Sequence, residues 1–182
     1  MILCVGEAVI DMVQTHAAGL GEVFLPLPGG CAYNTSIAIS RLGVPSAFLG
    51  RLSTNFFGEM QITRLWQNNV KDNLIIRCVQ NPVLAFINVE EGREPEYAFY
   101  EEGTADRLLS PEELPAIPDD ATCMVFGSIS MAMEPIASTI ESIIMKEAEN
   151  KKVIAFDPNI RPFVIKGRAS YLKRFERWVG AS

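Results

Sequence analysis

Paired glycines followed by polar residues form the stretch of this sequence best suited to bind a small ligand. Gly29-Gly30 precedes the short run 31–36 and an apolar-rich helix that Gly43 can end at its C′ position. Adjacent glycines let the backbone approach a ligand without a Cβ in the way. The N-terminus of the helix offers N–H groups and a positive dipole end to hydroxyls or an anion. A tight strand-to-helix turn, whose glycines serve only packing, is the alternative for this pattern.

Charged side chains follow two of the strand-like segments. Asp11 comes after the apolar run 2–6, and Arg161 comes after the run 153–156. A carboxylate accepts two hydroxyl hydrogen bonds at once, and a guanidinium is a rigid fork for oxygen-rich ligands. Because ligands of parallel α/β sheets collect beyond the carboxyl ends of the strands, Arg161 stands where a ligand could be met. The alternatives are a solvated strand-end acid for Asp11 and an ordinary surface position for Arg161.

Strand-like and helix-like segments alternate along the chain, which predicts an α/β domain with a parallel or mostly parallel sheet. Two further strand-like runs, 83–89 and 97–100, flank an acidic turn at 91–95 and predict a hairpin. The other predicted strands are 2–6, 74–79, 122–126 and 153–156, and the predicted helices are 57–69, 134–150 and 168–179. The apolar sides of the first and last of these helices are expected to carry Met60, Leu65 and Trp66, and Leu172, Phe175 and Trp178.

Four motifs resemble those of the ribokinase-like (PfkB) carbohydrate kinases, and of fructokinases in particular. Gly-Gly-x-Ala-x-Asn-x-Ser at 29–36, with Gly43, is similar to the N-terminal signature of the family. The others are Gly-Glu-x-x-Ile-Asp at 6–11, Gly-Thr-Ala-Asp-Arg-Leu-Leu at 103–109 and Asp-x-Asn-x-Arg at 157–161. A related stretch departs from the family pattern: Ser53 stands where the family has a third glycine, and Asn55 replaces the common acidic residue.

The resemblance implies a ribokinase-like fold, in which a mostly parallel sheet is flanked by helices and a small β lid covers the substrate. Residues 1–182 would form the N-terminal part of one kinase domain, with lid segments at approximately 12–27 and 83–100, and the C-terminal part of the fold would be absent. Phe99 would lie over a sugar ring, or would only pack within its hairpin. The implied substrate-binding residues are Asp11, Gly29, Gly30, Asn34, Phe99 and Arg161, and Asn159 and Arg161 would face the phosphate region.

The resemblance also implies an activity, the transfer of the γ-phosphate of ATP, with Mg²⁺, to a hydroxyl of a sugar such as fructose. The second signature of the family, Asp-Thr-x-Gly-Ala-Gly-Asp, supplies the catalytic base and has no counterpart up to Ser182. We therefore expect neither a catalytic residue nor kinase activity in this chain alone.

Three alternative functions remain open at this point: a 2-keto-3-deoxygluconate kinase, a nucleoside kinase, and a non-catalytic sugar-binding or oligomerising remnant. Glu101 favours a neutral sugar over ketodeoxygluconate, because kinases of that acid commonly carry an arginine at this position. The resemblance also leaves open a homodimer formed through the lid.

Charge and composition limit the partners of the chain. The net charge is −6 and the sequence pI is about 4.9, which argues against nucleic acid or an anionic membrane. The four cysteines lack metal-binding spacing, so we expect free thiols in a reducing compartment and no metal site within the chain. The first residues lack the basic region of a signal peptide and carry an early acid, so we expect none, and no apolar run approaches the roughly 18 residues of a spanning helix. We therefore expect a cytoplasmic protein whose partners are a small sugar and ATP.

Overall fold

Two β-sheets and four α-helices make up the described part of the chain, which is residues 1–88, 92 and 96–182 of the computed structural model. None of the helices described is both long enough and apolar enough to cross a membrane. The strands are β1 (Ile2–Val5), β2 (Val9–Ala17), β3 (Gly21–Gly29), β4 (Ser46–Ser53), β5 (Ile75–Cys78), β6 (Leu84–Asn88), β7 (Glu96–Tyr100), β8 (Cys123–Gly127) and β9 (Val153–Asp157). The helices are α1 (Cys31–Arg41), α2 (Phe56–Gln67), α3 (Ile136–Glu149) and α4 (Arg168–Ala181).

The larger sheet is entirely parallel and has the strand order β5-β4-β1-β8-β9. In the central strand β1, Leu3 and Val5 point to one face and Cys4 points to the other, and all three are fully buried. A strand covered on both faces needs apolar residues at every position, which explains this continuous run. Helices α3 and α4 pack on the Leu3 face, and α1 and α2 pack on the Cys4 face. The predicted α/β architecture is confirmed.

The smaller sheet, called the lid sheet below, has the order β3-β2-β6-β7. Strands β2 and β3 form an antiparallel hairpin, β6 pairs parallel to β2, and β7 pairs antiparallel to β6. The two strands of the hairpin predicted at 83–100 are thus confirmed. Most of its predicted turn, together with the end of the first predicted strand, falls on 89–91 and 93–95, outside the described residues. The chain enters the lid sheet after β1 and again after β5, so both sheets meet where β2 and β6 begin.

Helix α2 presents a different side to the core from the one expected. Trp66 is 54% exposed, so its assignment to the apolar side is wrong, whereas Leu65 is fully buried as predicted and Met60 is half-buried. A Cβ at Gly58 would overlap the carbonyl oxygen of Ser53, and this close approach turns the Gly58 side of the helix inwards. The buried residues of α2 are Gly58, Gln61, Ile62 and Leu65.

Helix α4 likewise differs in one position from the expected pattern. Trp178 is fully buried and Phe175 packs at the edge of the core, as predicted, but Leu172 is 47% exposed. Tyr171 takes its place in the core, at a ring distance of 5.4 Å from Trp178. The two are seven residues apart, which is two helical turns and therefore the same face.

The two departures from the family pattern have a local structural explanation. Asn55 caps α2, because its Oδ1 accepts the N–H groups of Phe57 at 3.0 Å and Gly58 at 3.1 Å. The buried Ser53 accepts the N–H of Asn55 at 3.1 Å. Since asparagine and aspartate are comparable N-caps, the replacement preserves the start of the helix.

Candidate substrate-binding cleft

A cleft of about 230 Å³ lies between the lid sheet and the carboxyl ends of β8 and β9. The fold therefore gathers residues that lie far apart in the sequence, as expected, and their roles in binding remain predictions. Gly29 does not itself line the cleft but lies against Asp11, which does. The predicted residues that line the cleft are Asp11, Gly30, Asn34, Phe99, Asn159 and Arg161. The rest of the lining is Glu7, Val9, Cys31, Ile87, Tyr97, Ser128 and Ile129.

The paired glycines are required by neighbouring parts of the chain. A Cβ at Gly29 would overlap Oδ2 of Asp11, and a Cβ at Gly30 would lie 2.6 Å from the carbonyl oxygen of Glu7. Gly30 also has a φ of 108°, which L-residues rarely adopt. The glycines thus let the end of β3 lie directly against the start of β2, which brings Asp11 to the N-terminus of α1.

Asp11 and Phe99 lie in one row of the lid sheet. Asp11 pairs with Ala85 in β6, and Ala85 pairs with Phe99 in β7. Residues paired in this way project from the same face of a sheet, so a carboxylate and an aromatic ring border the same space. Burial raises the pKa of Asp11. Phe99 also contacts Phe163 at a ring distance of 5.4 Å, so it both lines the cleft and packs against the domain.

The first N–H group of α1 is already hydrogen-bonded within the protein. Glu7, which is 1% exposed, accepts the N–H of Cys31 at 2.9 Å and the hydroxyl of Ser130. Burial raises the pKa of Glu7, and these two donors oppose the rise. The expectation of an available N–H group at this helix end is therefore wrong for Cys31, because a buried carboxylate takes the position of a ligand.

Arg161 and Asn159 form a hydrogen-bonded pair after β9. Nη1 of Arg161 donates to Oδ1 of Asn159 at 2.7 Å, and Nδ2 of Asn159 donates to Oγ of Ser128 at 3.4 Å. Asn159, with a φ of 34°, and Ser128, with a φ of 61°, both adopt the left-handed region, which is costly for residues other than glycine. The result is a guanidinium fixed at the cleft, which can offer several N–H groups to an oxygen-rich ligand.

The thiol of Cys31 lies in the same cleft, with Sγ 3.4 Å from Oδ2 of Asp157. Burial and the charges of Glu7 and Asp157 raise the pKa of Cys31 to about 11. The thiol is therefore protonated at neutral pH and is not a nucleophile. All four cysteines are free, as expected.

Asp106 supports the cleft without lining it, and the sequence pattern does not single it out. Its carboxylate is 1% exposed and accepts the N–H groups of Ala8 at 2.8 Å and Val83 at 3.5 Å. Burial, with the charge of Glu7 as a smaller cause, raises the pKa of Asp106 to about 7. The one sequence signal is its place in the motif 103–109, because partners 98 and 23 residues away leave no local pattern.

Glu101 does not line the cleft. Its carboxylate forms an ion pair with Arg107, which neutralises its charge. Glu101 is therefore not placed to repel an acidic substrate in this cleft.

A larger groove, of about 920 Å³, lies at the amino ends of the parallel strands, next to the residues that precede β8 and β9. The segment 111–122 and the C-terminal half of α3 form its walls. No predicted site residue lines it, and ligands of parallel sheets collect at the carboxyl edge instead.

The fold and the cleft together define a class of protein: a parallel α/β domain in which a β lid borders a polar cleft containing a carboxylate, an amide and a guanidinium. A sequence profile of the pfkB family carbohydrate kinases matches residues 1–179. The chain belongs to this family, as the motifs at 6–11 and 29–36 predict.

Curated relatives of the chain include fructokinases from bacteria and plants. The fructokinase of Rhizobium leguminosarum bv. trifolii is 39% identical over 183 residues, which cover 100% of this chain and 55% of the relative. That of Solanum tuberosum is 36% identical over 166 residues, which cover 88% of this chain and 52% of the relative. The chain thus spans about half the length of these curated relatives.

Solved structures confirm the ribokinase-like fold. The fructokinase of Xylella fastidiosa with bound ATP matches with a TM-score of 0.83 at 30% identity, over 94% of this chain and 53% of that one. A double-mutant fructokinase of Vibrio cholerae, with fructose, ADP and potassium ion bound, matches with a TM-score of 0.82 at 25% identity. The match covers 100% of this chain and 57% of that one. The rest of each of these structures has no counterpart in the 182 residues.

Proposed function

We propose that the protein to which these residues belong is an ATP-dependent fructokinase, and that this chain carries its sugar-binding part. The observation that supports this most strongly is that Asp11 from β2, Asn34 from α1 and Arg161 from the segment after β9 line one cleft under the lid sheet. The similarity to curated fructokinases favours fructose as the acceptor over ketodeoxygluconate or a nucleoside.

In this proposal, the lid side of the cleft binds the sugar. Asp11 accepts hydrogen bonds from two sugar hydroxyls, and Asn34 both donates and accepts. Gly30 brings its backbone close to the ligand, and Phe99 covers an apolar face of the ring. Positioning of this kind is the main contribution that phosphoryl transfer asks of the sugar site.

The opposite side of the cleft would face the phosphoryl group. Arg161, held by Asn159, suits the charge and planar geometry of phosphate oxygens, so these residues fit that part of a nucleotide. ATP would supply the transferred phosphoryl group when bound. Among the residues described, no group of three or more His, Cys, Asp or Glu side chains is placed to hold a metal ion. We therefore assign no Mg²⁺ ligand to this chain.

The test is ADP release by the protein as its gene encodes it, with fructose, 2-keto-3-deoxygluconate and a nucleoside as alternative acceptors. We expect turnover with fructose, and a loss of about 100-fold in kcat/KM for Asp11→Asn, because charge-assisted hydrogen bonds are lost. The exposed Asp119→Asn is the matched control and should leave kcat/KM unchanged. Turnover with a nucleoside but not with fructose would contradict the proposal.

The catalytic base is proposed to lie outside these residues. The 182-residue chain alone should then release no ADP in the same assay with fructose, and measurable turnover by it would contradict this part of the proposal.

Cytoplasmic location and a homodimer through the lid sheet are further parts of the proposal. The four free cysteines suit a reducing compartment. On the face of the lid sheet opposite Asp11, Phe24 and Tyr100 are 45% and 63% exposed and both rings contact Phe86, which gives this face an apolar surface that a second copy could cover. Sedimentation equilibrium of the protein and of Phe24→Glu tests the dimer, which this variant should dissociate.

A further inference from the structure

Asp106 is bonded to both places where the chain enters the lid sheet. Oδ1 accepts the N–H of Ala8, which directly precedes β2, and Oδ2 accepts the N–H of Val83, which directly precedes β6. These two segments are also joined to each other, since the N–H of Ile10 donates to the carbonyl of Val83 at 2.8 Å. One carboxylate therefore receives a backbone donor from the base of each central lid strand.

Two buried side chains form hydrogen bonds with the backbone of Ala8. Its N–H donates to Asp106, while its carbonyl accepts a hydrogen bond from Nε2 of Gln61 on α2 at 2.8 Å. Both side chains are essentially buried, at 1% and 0% exposure. The start of β2 is thus attached to the parallel-sheet part of the domain by side chains 98 and 53 residues away.

A carboxylate is the one side chain of this size that satisfies both backbone donors. It has two acceptor oxygens and no donor, whereas asparagine would direct an NH₂ group at one of the N–H groups. In the part of the chain that the structure describes, no Lys or Arg forms a salt bridge with Asp106. The burial of an unpaired acid has a cost in stability, so its presence here needs a reason beyond packing.

The hydrogen bonds of Asp106 lie only a few residues from the lid side of the cleft. Asp11 comes three residues after Ala8 on β2, and Ala85 comes two residues after Val83 on β6. Ala85 pairs with Asp11 on one side and with Phe99 on the other, so these three residues form the row that borders the cleft. A shift at the base of β2 or β6 would therefore displace Asp11 and Phe99 together.

We propose that Asp106 is a positioning residue for the cleft: its carboxylate fixes the bases of β2 and β6, and thereby places Asp11 and Phe99 against the sugar. This inference rests on the proposed function, in that it takes the ligand of the cleft to be a sugar. Asp106 itself does not touch the ligand.

The test compares Asp106→Ala and Asp106→Asn with the unaltered protein, as its gene encodes it, by KM and kcat for fructose. The alanine variant loses both hydrogen bonds and should raise KM at least tenfold, while kcat at saturating fructose changes less than threefold. The asparagine variant keeps an acceptor for Ala8, so its KM should lie between that of the alanine variant and that of the unaltered protein.

Glu147→Gln is the control for a loss of stability without a change at the lid. Glu147 is 4% exposed on α3 and forms an ion pair with Lys152 at 3.0 Å, just before β9 and away from the cleft. This variant should lower the Tm and leave KM unchanged. If the Asp106 variants raise KM no more than Glu147→Gln does, the proposal is overturned.

Amide hydrogen exchange without sugar provides a readout that does not depend on the proposed function. In Asp106→Ala, the amides of β2 and β6 should exchange at least tenfold faster, while those of β1 and β8 should not change. Exchange in β2 and β6 at the unaltered rate would overturn the role of Asp106. Absence of sugar phosphorylation with faster exchange would instead contradict only the proposed function and the sugar part of the inference.

Discussion

Gly29→Ala should impair sugar binding far more than it impairs folding. The added Cβ would overlap Oδ2 of Asp11 and lie 3.0 Å from its Cγ. Alanine can adopt the backbone conformation of Gly29, whose φ lies outside the left-handed region. The overlap is with the end of a half-buried side chain, so Asp11 can relieve it by changing rotamer, which moves its carboxylate out of the position it holds in the cleft.

The size of the effect follows from what Asp11 loses by this rotation. A hydrogen bond to a charged group contributes about 1.5–3 kcal/mol, so the loss of one should raise KM for fructose by roughly 10- to 100-fold. The cost to stability should stay within about 1 kcal/mol, which is typical of a substitution relieved by a side-chain rotation. Gly180→Ala is the matched control, because a Cβ there has open space around it. It should leave KM unchanged.

A double-mutant cycle tests whether the effect passes through Asp11. Steady-state kinetics with fructose would be measured for Gly29→Ala, for Asp11→Ala and for the two together, with the Tm of each. We expect Gly29→Ala to add less than twofold to KM once Asp11 is alanine. If the two effects multiply in full, or if the Tm of Gly29→Ala collapses, the argument from the overlap is refuted.

Four further predictions follow from single contacts. Asn55→Ala should lower the free energy of unfolding by about 1 kcal/mol, and Asn55→Asp should not, because only alanine removes the cap of α2; urea unfolding measures both. Gly127→Ala should prevent soluble expression, since the Cβ would overlap the carbonyl oxygen of Asp157 at a φ of 150°; recovery of the variant at the unaltered Tm would contradict this. Arg161→Lys should lower kcat/KM roughly tenfold with an unchanged Tm, because lysine lacks the fork that binds two oxygens. The raised pKa of Asp106, about 7 against an ordinary value of 3.8, means that this group costs stability as the pH rises from about 4 to 7. Urea unfolding at pH 5 and pH 8 should show a loss on the order of 3 kcal/mol, and this loss should shrink in Asp106→Asn.

The elements of the fold were predictable where hydrophobic runs are strong. The run 2–6 became the buried strand β1, and Gly43, with a φ of 82°, follows the end of α1 as its position predicts. The orientation of α2 was not predictable, because it depends on the contact of Gly58 with the backbone of Ser53. A glycine selected for close approach carries no hydrophobic signal, so the pattern of apolar residues alone placed Trp66 on the wrong side.

The cleft residues were accessible from sequence for a different reason. Asp11, Asn34 and Arg161 stand in motifs shared with a family, and the fold brings them together. The buried acids Glu7 and Asp106 act through partners that are distant in sequence, so no local pattern reveals their contacts. Long-range hydrogen bonds of this kind are visible only in the folded structure.

A crystal structure of the gene-encoded protein with fructose tests the central claim most directly. We predict that the sugar occupies the cleft, with hydroxyls within 3.2 Å of Asp11 and Asn34 and with Phe99 over the ring. Arg161 should lie on the phosphate side of the sugar. Fructose in the groove at the start of β8 and β9, or a cleft left empty at saturating sugar, would contradict the account.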